Sequence, residues 1–212
     1  IISGVSSEVP NLKRYRFTTK NLLIASVMIS RTGYTGEDGV EIILPKSFAN
    51  KAVEMMLANL PHKTMITPAG LGARDSLRLE AGMPLYGHEL TEAIDPIAAG
   101  LHFAVKLDKG IGNNEAEPFI GQEALQQIAK NGPKQKLVGL ILDGRRSPRQ
   151  GMNVLNREQV IGEVTSGCFS PTFEKPIAMA YIKSNFEDDE VMIDFGRTQL
   201  PASVTKLPFY KR

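Results

Sequence analysis

A chain of 212 residues, 42% hydrophobic and 23% charged, can bury one sizeable core or two smaller ones, which excludes a disordered or fibrous protein. A formal charge of +2 is too small to make nucleic acid the default partner, and no window reaches the apolar length needed to cross a bilayer. The single cysteine, Cys168, excludes an internal disulfide framework and fits a reducing compartment.

The chain opens on Ile1-Ile2-Ser3-Gly4, with no initiator Met, no recognisable cap and no signal-peptide pattern, so it is expected to be a fragment. Residues 15–18 and 22–30 are β-rich, with Asn21 marking a turn near their junction. Gly33, Gly36 and Gly39 then fall at every third position ahead of a strand over 40–44, which Pro45 stops. Ser47 is expected to cap a helix reaching about Leu60, striped by Ala49, Val53, Met56 and Leu60. A second helix follows Pro68 and ends at Gly82. Residues 83–100 are rich in turn signals, residues 101–105 read as a buried strand, and residues 110–118 read as a linker. After a short helix over 122–130, closed by Asn131-Gly132, strands are expected at 136–143, 159–165, 177–182, 190–193 and 199–206. Regular short strands of this kind indicate a small barrel or sandwich.

The glycine turn is neither a dinucleotide fingerprint nor a P-loop; it reads as a tight turn needing positive φ at one or two sites. In the strand after it, Val40, Ile42 and Leu44 face one way while Glu41 and Ile43 face the other. A carboxylate sharing a face with isoleucine lies at a solvated edge or inside a pocket. In a pocket it needs donors, and a flat ring with adjacent N–H groups would satisfy both oxygens. Arg74 and Arg78 share one helical face, with Asp75 and Glu80 as local carboxylate partners. A planar guanidinium also suits ring acceptors or carboxylates in a pocket. His62, His88 and His102 lack metal-ligand spacing, and His88 reads as a structural hydrogen-bonder. Cys168 reads as a half-buried small residue, and the basic run 145–149 as a solvated loop.

Several blocks, in order, resemble the T-proteins of the glycine cleavage system. They are RTGYTGEDGVEI (31–42), PAGLGARDSLRLEAGMPLY (68–86) followed by GHEL, DPIAAGLHFAVK (95–106), FIGQEAL (119–125), VTSGCFS (164–170) and the terminal LPF (207–209). The resemblance implies an α+β, folate-binding aminomethyltransferase-like fold followed by a C-terminal β-barrel. Residues 1–76 and 77–116 would contribute to two α+β units, with residues 117–212 forming the barrel. It implies tetrahydrofolate contacts from Glu41, Arg74 and Tyr34, from Phe103 where relatives often carry tryptophan, and from a terminal residue, Tyr210 or Arg212. The implied activity is transfer of a one-carbon unit from a lipoyl-bearing carrier, the H-protein, to tetrahydrofolate with release of ammonia. No metal, nucleic acid or membrane is implied, and the location would be the bacterial cytoplasm or the mitochondrial matrix.

One departure bears on catalysis. The family's aspartate near the folate nitrogens belongs to an upstream motif that matches nothing here, so no catalytic residue is assigned and this chain by itself is expected to be poorly active. Three other readings compete. A related methylamine-type dehydrogenase would need a flavin domain that nothing here resembles. A folate-binding helper in iron–sulfur assembly or tRNA modification would show a Lys-Gly-Cys-Tyr-x-Gly-Gln-Glu block. Lys109-Gly110 is instead followed by an insertion and Phe119-Ile120-Gly121-Gln122-Glu123, without the cysteine. The third is a non-enzymatic structural fragment.

Overall fold

The computed structural model describes residues 9–22, 25–58, 66–111 and 117–210. The chain divides into two compact units, residues 1–75 and 76–212.

The first unit holds an antiparallel sheet in the order β1 (Phe17–Leu22), β2 (Ala25–Ser30), β3 (Glu41–Ile43). Asn21 is a strand residue opposite Ser26 rather than a turn, because the pairing runs without a break to Leu22↔Ala25. Directly paired residues share a face. One face therefore carries Phe17, Ser30 and Glu41 beside Thr19, Met28 and Ile43, and the other carries Thr18, Ile29 and Ile42. The expected placement of Glu41 with Ile43, and of Ile42 opposite them, holds.

Helix α1 (Ala49–Ala58) follows a 3-10 turn, Lys46–Phe48. Ser47 lies inside that turn instead of capping the helix: Pro45 is the flanking residue, with no side-chain cap. Its fixed φ of −58° suits the entry without a donor. Leu60, expected in the helical stripe, lies outside the described residues.

Helix α2 (Leu71–Glu80) spans the division between the units and stops at Gly82, whose φ of +64° is open to glycine at little cost. In the second unit, residues 101–105 are not a strand. Ala104 and Val105 donate to Leu101 and His102 carbonyls, so local 3-10 bonds replace a ladder, and Phe103 is 80% exposed. Helix α3 (Gln122–Asn131) ends at Gly132, as its sequence signals indicate. Gln122 is buried because its side chain accepts from Phe119 N–H and donates to the Leu107 and Lys109 carbonyls, tying the helix start to the preceding loop.

Six strands then close a barrel: β4 (Gln135–Leu142), β5 (Asn153–Asn156), β6 (Gln159–Ser170), β7 (Lys175–Lys183), β8 (Glu190–Asp194) and β9 (Gln199–Thr205), in the order β4-β7-β6-β5-β8-β9. Strand β5 lies outside the five sequence-expected strands, and β6 runs five residues past its expected end. Strand β7 shows what holds the unit together. Ala178, Ala180 and Ile182 enter the barrel core with Leu140, Val154 and Ile193. The alternate residues Ile177 and Met179 pack outside it with Leu79 of α2, against Leu207 and Phe209. With both faces covered, β7 is buried from Pro176 to Ile182.

Candidate functional site

The segment between β2 and β3 is folded back by Arg31. Its guanidinium donates from Nε and Nη2 to the two oxygens of Asp38 at 2.9 and 2.7 Å, and from Nη1 to the Leu12 carbonyl at 2.8 Å. Two parallel charge-assisted bonds fix both ends of the glycine turn, and Gly36 supplies the positive φ, 76°, that the turn needs. Hydrogen bonding to Arg31 holds the Asp38 carboxyl below the usual carboxylate range, with the charge of Arg31 and, less strongly, of Arg14 adding to it.

This loop carries Tyr34, and the Arg74 guanidinium of α2 sits over its ring, 5.2 Å from the centroid. A cation over an aromatic face contributes about 0.5–1 kcal/mol at an exposed site and leaves the N–H edge of the guanidinium available to acceptors. Glu41 is exposed, and its Oε2 accepts from the Thr32 hydroxyl. Thr32 thereby spends its proton on the carboxylate, so the 2.8 Å contact between Ser30 Oγ and Thr32 Oγ1 has Ser30 as donor. A relay Ser30→Thr32→Glu41 results, on the face that also bears Phe17 and Ile43. Sequence reasoning did not single out Thr32 or Ser30. The signal was available, since Ser30 pairs opposite Glu41 once the hairpin is in register.

The second unit contains the most buried polar cluster. Arg78, for which the sequence offers Asp75 and Glu80 as local carboxylates, pairs with Glu89 at 2.9 Å, the side chains being 2% and 0% exposed. It also donates to Ser166 Oγ at 2.8 Å and to the Met83 carbonyl at 3.2 Å. Glu89 accepts in addition from Leu85 N–H and from the Thr165 hydroxyl at 2.6 Å, while the Tyr181 hydroxyl donates to the Glu89 carbonyl. Burial first, then the Glu89 and Asp95 charges, push the Tyr181 phenol well above its ordinary range. Glu80 serves a separate purpose: its carboxylate accepts from Ser170 Oγ and from the Thr172 hydroxyl and N–H. His88 is a structural hydrogen-bonder, its Nδ1 lying 2.9 Å from the Thr165 carbonyl, which can only accept. These hydrogen bonds anchor the end of α2 to β6.

Glu41, Tyr34 and Arg74 therefore fall in one unit, Tyr34 and Arg74 in direct contact, whereas Phe103 belongs to the other unit. Arg212 lies outside the described residues; Tyr210 is half-buried, edge-on to Phe173. Among the described residues, no group of His, Cys, Asp or Glu side chains could hold a metal, and no helix is long and apolar enough to cross a membrane.

Comparison with known proteins bears on the whole chain. The GCVT N-terminal domain model matches residues 2–109, and that of the glycine cleavage T-protein C-terminal barrel domain matches residues 135–211. An aminomethyltransferase of Synechococcus elongatus is 40% identical over 209 residues, 98% of this chain and 53% of its own length. One from Symbiobacterium thermophilum is 44% identical over 91% of this chain and 51% of its own length. The crystal structure of glycine cleavage system aminomethyltransferase T from Bartonella henselae superposes with a TM-score of 0.77 at 37% identity, covering 87% of this chain and 50% of that one. The chain thus spans about half the length of the relatives it matches. With one domain model covering half of it and a second covering its barrel, the chain belongs to the glycine cleavage T-protein family.

Proposed function

We propose that this chain is part of a tetrahydrofolate-dependent aminomethyltransferase. The enzyme takes the one-carbon unit of an S–CH2–NH2 adduct on a lipoyl-bearing carrier, the H-protein, in the bacterial cytoplasm. Two C–N bonds form to folate nitrogens, the C–N and C–S bonds of the adduct break, ammonia leaves and the sulfur departs as a thiol. The carrying observation is the family match along both units, with relatives of 40–44% identity named aminomethyltransferases.

In this reading Glu41 accepts the adjacent N–H groups of the pterin, while Arg74, steadied by Tyr34, presents donors to its acceptors. Phe103 supplies an apolar wall, and Arg212 or Tyr210 a terminal polar contact. Residues 1–76 and 77–116 then contribute to two α+β folate-binding units and residues 117–212 to the barrel. The protein's share of the catalysis is orientation of two bound reactants and stabilisation of developing charge. The family's aspartate motif is not matched, so Glu41 and Arg74 orient folate without transferring the decisive proton.

The test is tetrahydrofolate-dependent ammonia release from the aminomethylated carrier, measured with the natural protein at its native length. Absence of release refutes the activity, and substantial turnover by the 212-residue chain alone refutes the assignment of catalysis outside it. Glu41→Ala in the natural protein removes a charge-assisted contact pair and is expected to weaken tetrahydrofolate binding by about 1.5–3 kcal/mol. Unchanged affinity removes Glu41 from the site.

A further inference from the structure

Strand β3 presents Glu41 to solvent, and the last torsion of a glutamate side chain is a broad rotor without sharp staggered wells. An exposed carboxylate left to itself turns freely, and a ligand that needs both oxygens in one plane must arrest that motion on binding. Here the restraint is built in beforehand. The Thr32 hydroxyl donates to Glu41 Oε2. Thr32 is half-buried, its β-branched side chain is stiff at χ1, and Ser30 holds its oxygen at 2.8 Å. Donation from Ser30 also polarises the Thr32 O–H and strengthens it as a donor. Backbone register makes the arrangement: Ser30 stands opposite Glu41 in the β2–β3 ladder, and the Arg31–Asp38 clamp fixes the turn that Thr32 begins.

Two properties suit this pin to a binding site. It is neutral: among the described residues no cation pairs with Glu41, so the carboxylate is oriented without being neutralised. It also takes a single lone pair, leaving the second of Oε2 and both of Oε1 open, so a ring with adjacent N–H groups can still bond both oxygens. We propose that Thr32, backed by Ser30, is a positioning residue for the folate ring. It holds the Glu41 carboxylate in the plane that receives the two adjacent donors, and thereby sets a preference for rings that carry both. The proposal rests on the folate reading of Glu41 and acts through that side chain. A hydroxyl pair that merely steadied the turn would affect all ligands alike, and would do so whether or not Glu41 were present.

The experiment titrates tetrahydrofolate, and its analogue without the exocyclic amino group of the ring, into the natural protein at its native length. The same titrations are run on its Thr32→Val, Thr32→Ser and Glu41→Ala variants and on the Thr32→Val, Glu41→Ala double variant. Thr32→Val keeps the shape and removes the hydroxyl, and is expected to weaken tetrahydrofolate binding about three- to tenfold through the freedom of one released side chain. Affinity for the analogue should fall less, so the ratio between the two ligands narrows. In turnover the loss should appear in KM rather than kcat, because the ring is held alike before and during the reaction. Thr32→Ser should restore binding and selectivity, and Thr32→Val should add nothing once Glu41 is alanine. Unchanged binding in Thr32→Val overturns the proposal, as do an equal loss for both ligands, a serine variant as weak as the valine, or a loss that persists without Glu41. Should Thr32→Val fail to fold, Ser30→Ala carries the same comparison: a smaller, selective loss is expected, and an unselective one overturns the proposal. Unchanged affinity in Glu41→Ala refutes the folate reading itself, whereas a loss there beside an unaffected Thr32→Val refutes only the positioning role.

Discussion

Replacing Glu89 by alanine tests the buried ion pair directly. The substitution leaves the Arg78 guanidinium almost wholly out of water without its buried carboxylate partner, and strips Leu85 N–H of its acceptor. Breaking a buried pair on one side costs about 3–5 kcal/mol, because the surviving charge is uncompensated. Arg78→Met should cost a similar amount, since Glu89 then keeps only Leu85 N–H and the Thr165 hydroxyl. The double variant Arg78→Met, Glu89→Leu removes both charges and fills the space with apolar atoms, so it should cost clearly less than the sum, with a coupling of about 2 kcal/mol or more. The assay is urea unfolding of the full chain by circular dichroism, with tyrosine fluorescence free of tryptophan background. At a slope of about 2 kcal/mol per molar, each single variant should move the midpoint down by about 1.5–2.5 M. Single costs below about 1 kcal/mol, or strictly additive ones, would refute the view that two desolvated charges depend on each other here.

Three further outcomes follow from the same geometry. The Tyr181 phenol is raised in the fold, so its contribution is complete below the unfolded value of about 10 and is lost as pH climbs towards the folded one; ultraviolet titration should find it un-ionised after exposed tyrosines have titrated, and Tyr181→Phe should flatten the alkaline loss of stability. Asp38 is lowered, so its contribution is present above the ordinary carboxylate range and fades as pH falls through its depressed value; NMR titration should show that midpoint, and Asp38→Asn should remove the acid dependence of the glycine turn. Gly162→Ala would place a Cβ 2.0 Å from the Tyr181 carbonyl oxygen, inside the β6–β7 ladder; a loss of about 1–3 kcal/mol is expected, and a neutral result would mean the strands part more easily than their register implies.

Periodicity and punctuation in the sequence disclose the local elements well. Helix α2 ends at Gly82 and α3 at Gly132 because a left-handed or otherwise unusual backbone is open to glycine there, and the alternation over β8 reports its faces directly, whereas β7, covered on both sides, is apolar almost throughout. Strand β5 escaped because Asn153 and Asn156 flank only two apolar residues, so its identity rests on pairing with β6 and β8. Residues 101–105 read as a buried strand, but among the described residues no ladder partner reaches them and local 3-10 bonds prevail. In the candidate site, Glu41, Arg74 and Tyr34 came from chemistry and resemblance, whereas the Arg78–Glu89 pairing was illegible. Eleven residues and a turn separate the two, and an in-helix carboxylate at Glu80 offered a nearer partner that the fold sends to Ser170 and Thr172 instead.

The closure of the barrel has an entropic side. Hairpins β5-β6, β6-β7 and β8-β9 join neighbours in the chain and can form from nearby segments, but the ring is shut by β4 against β9, with Gly139 opposite Thr205 and Leu142 opposite Ala202. Meeting across some sixty residues costs loop entropy before any ladder bond repays it, so this seam carries the largest closure cost in the barrel. A packing defect at Gly139, where Phe209 and Thr205 crowd any added Cβ to 2.8 Å, would weaken the ring at the pairing that is most expensive to close.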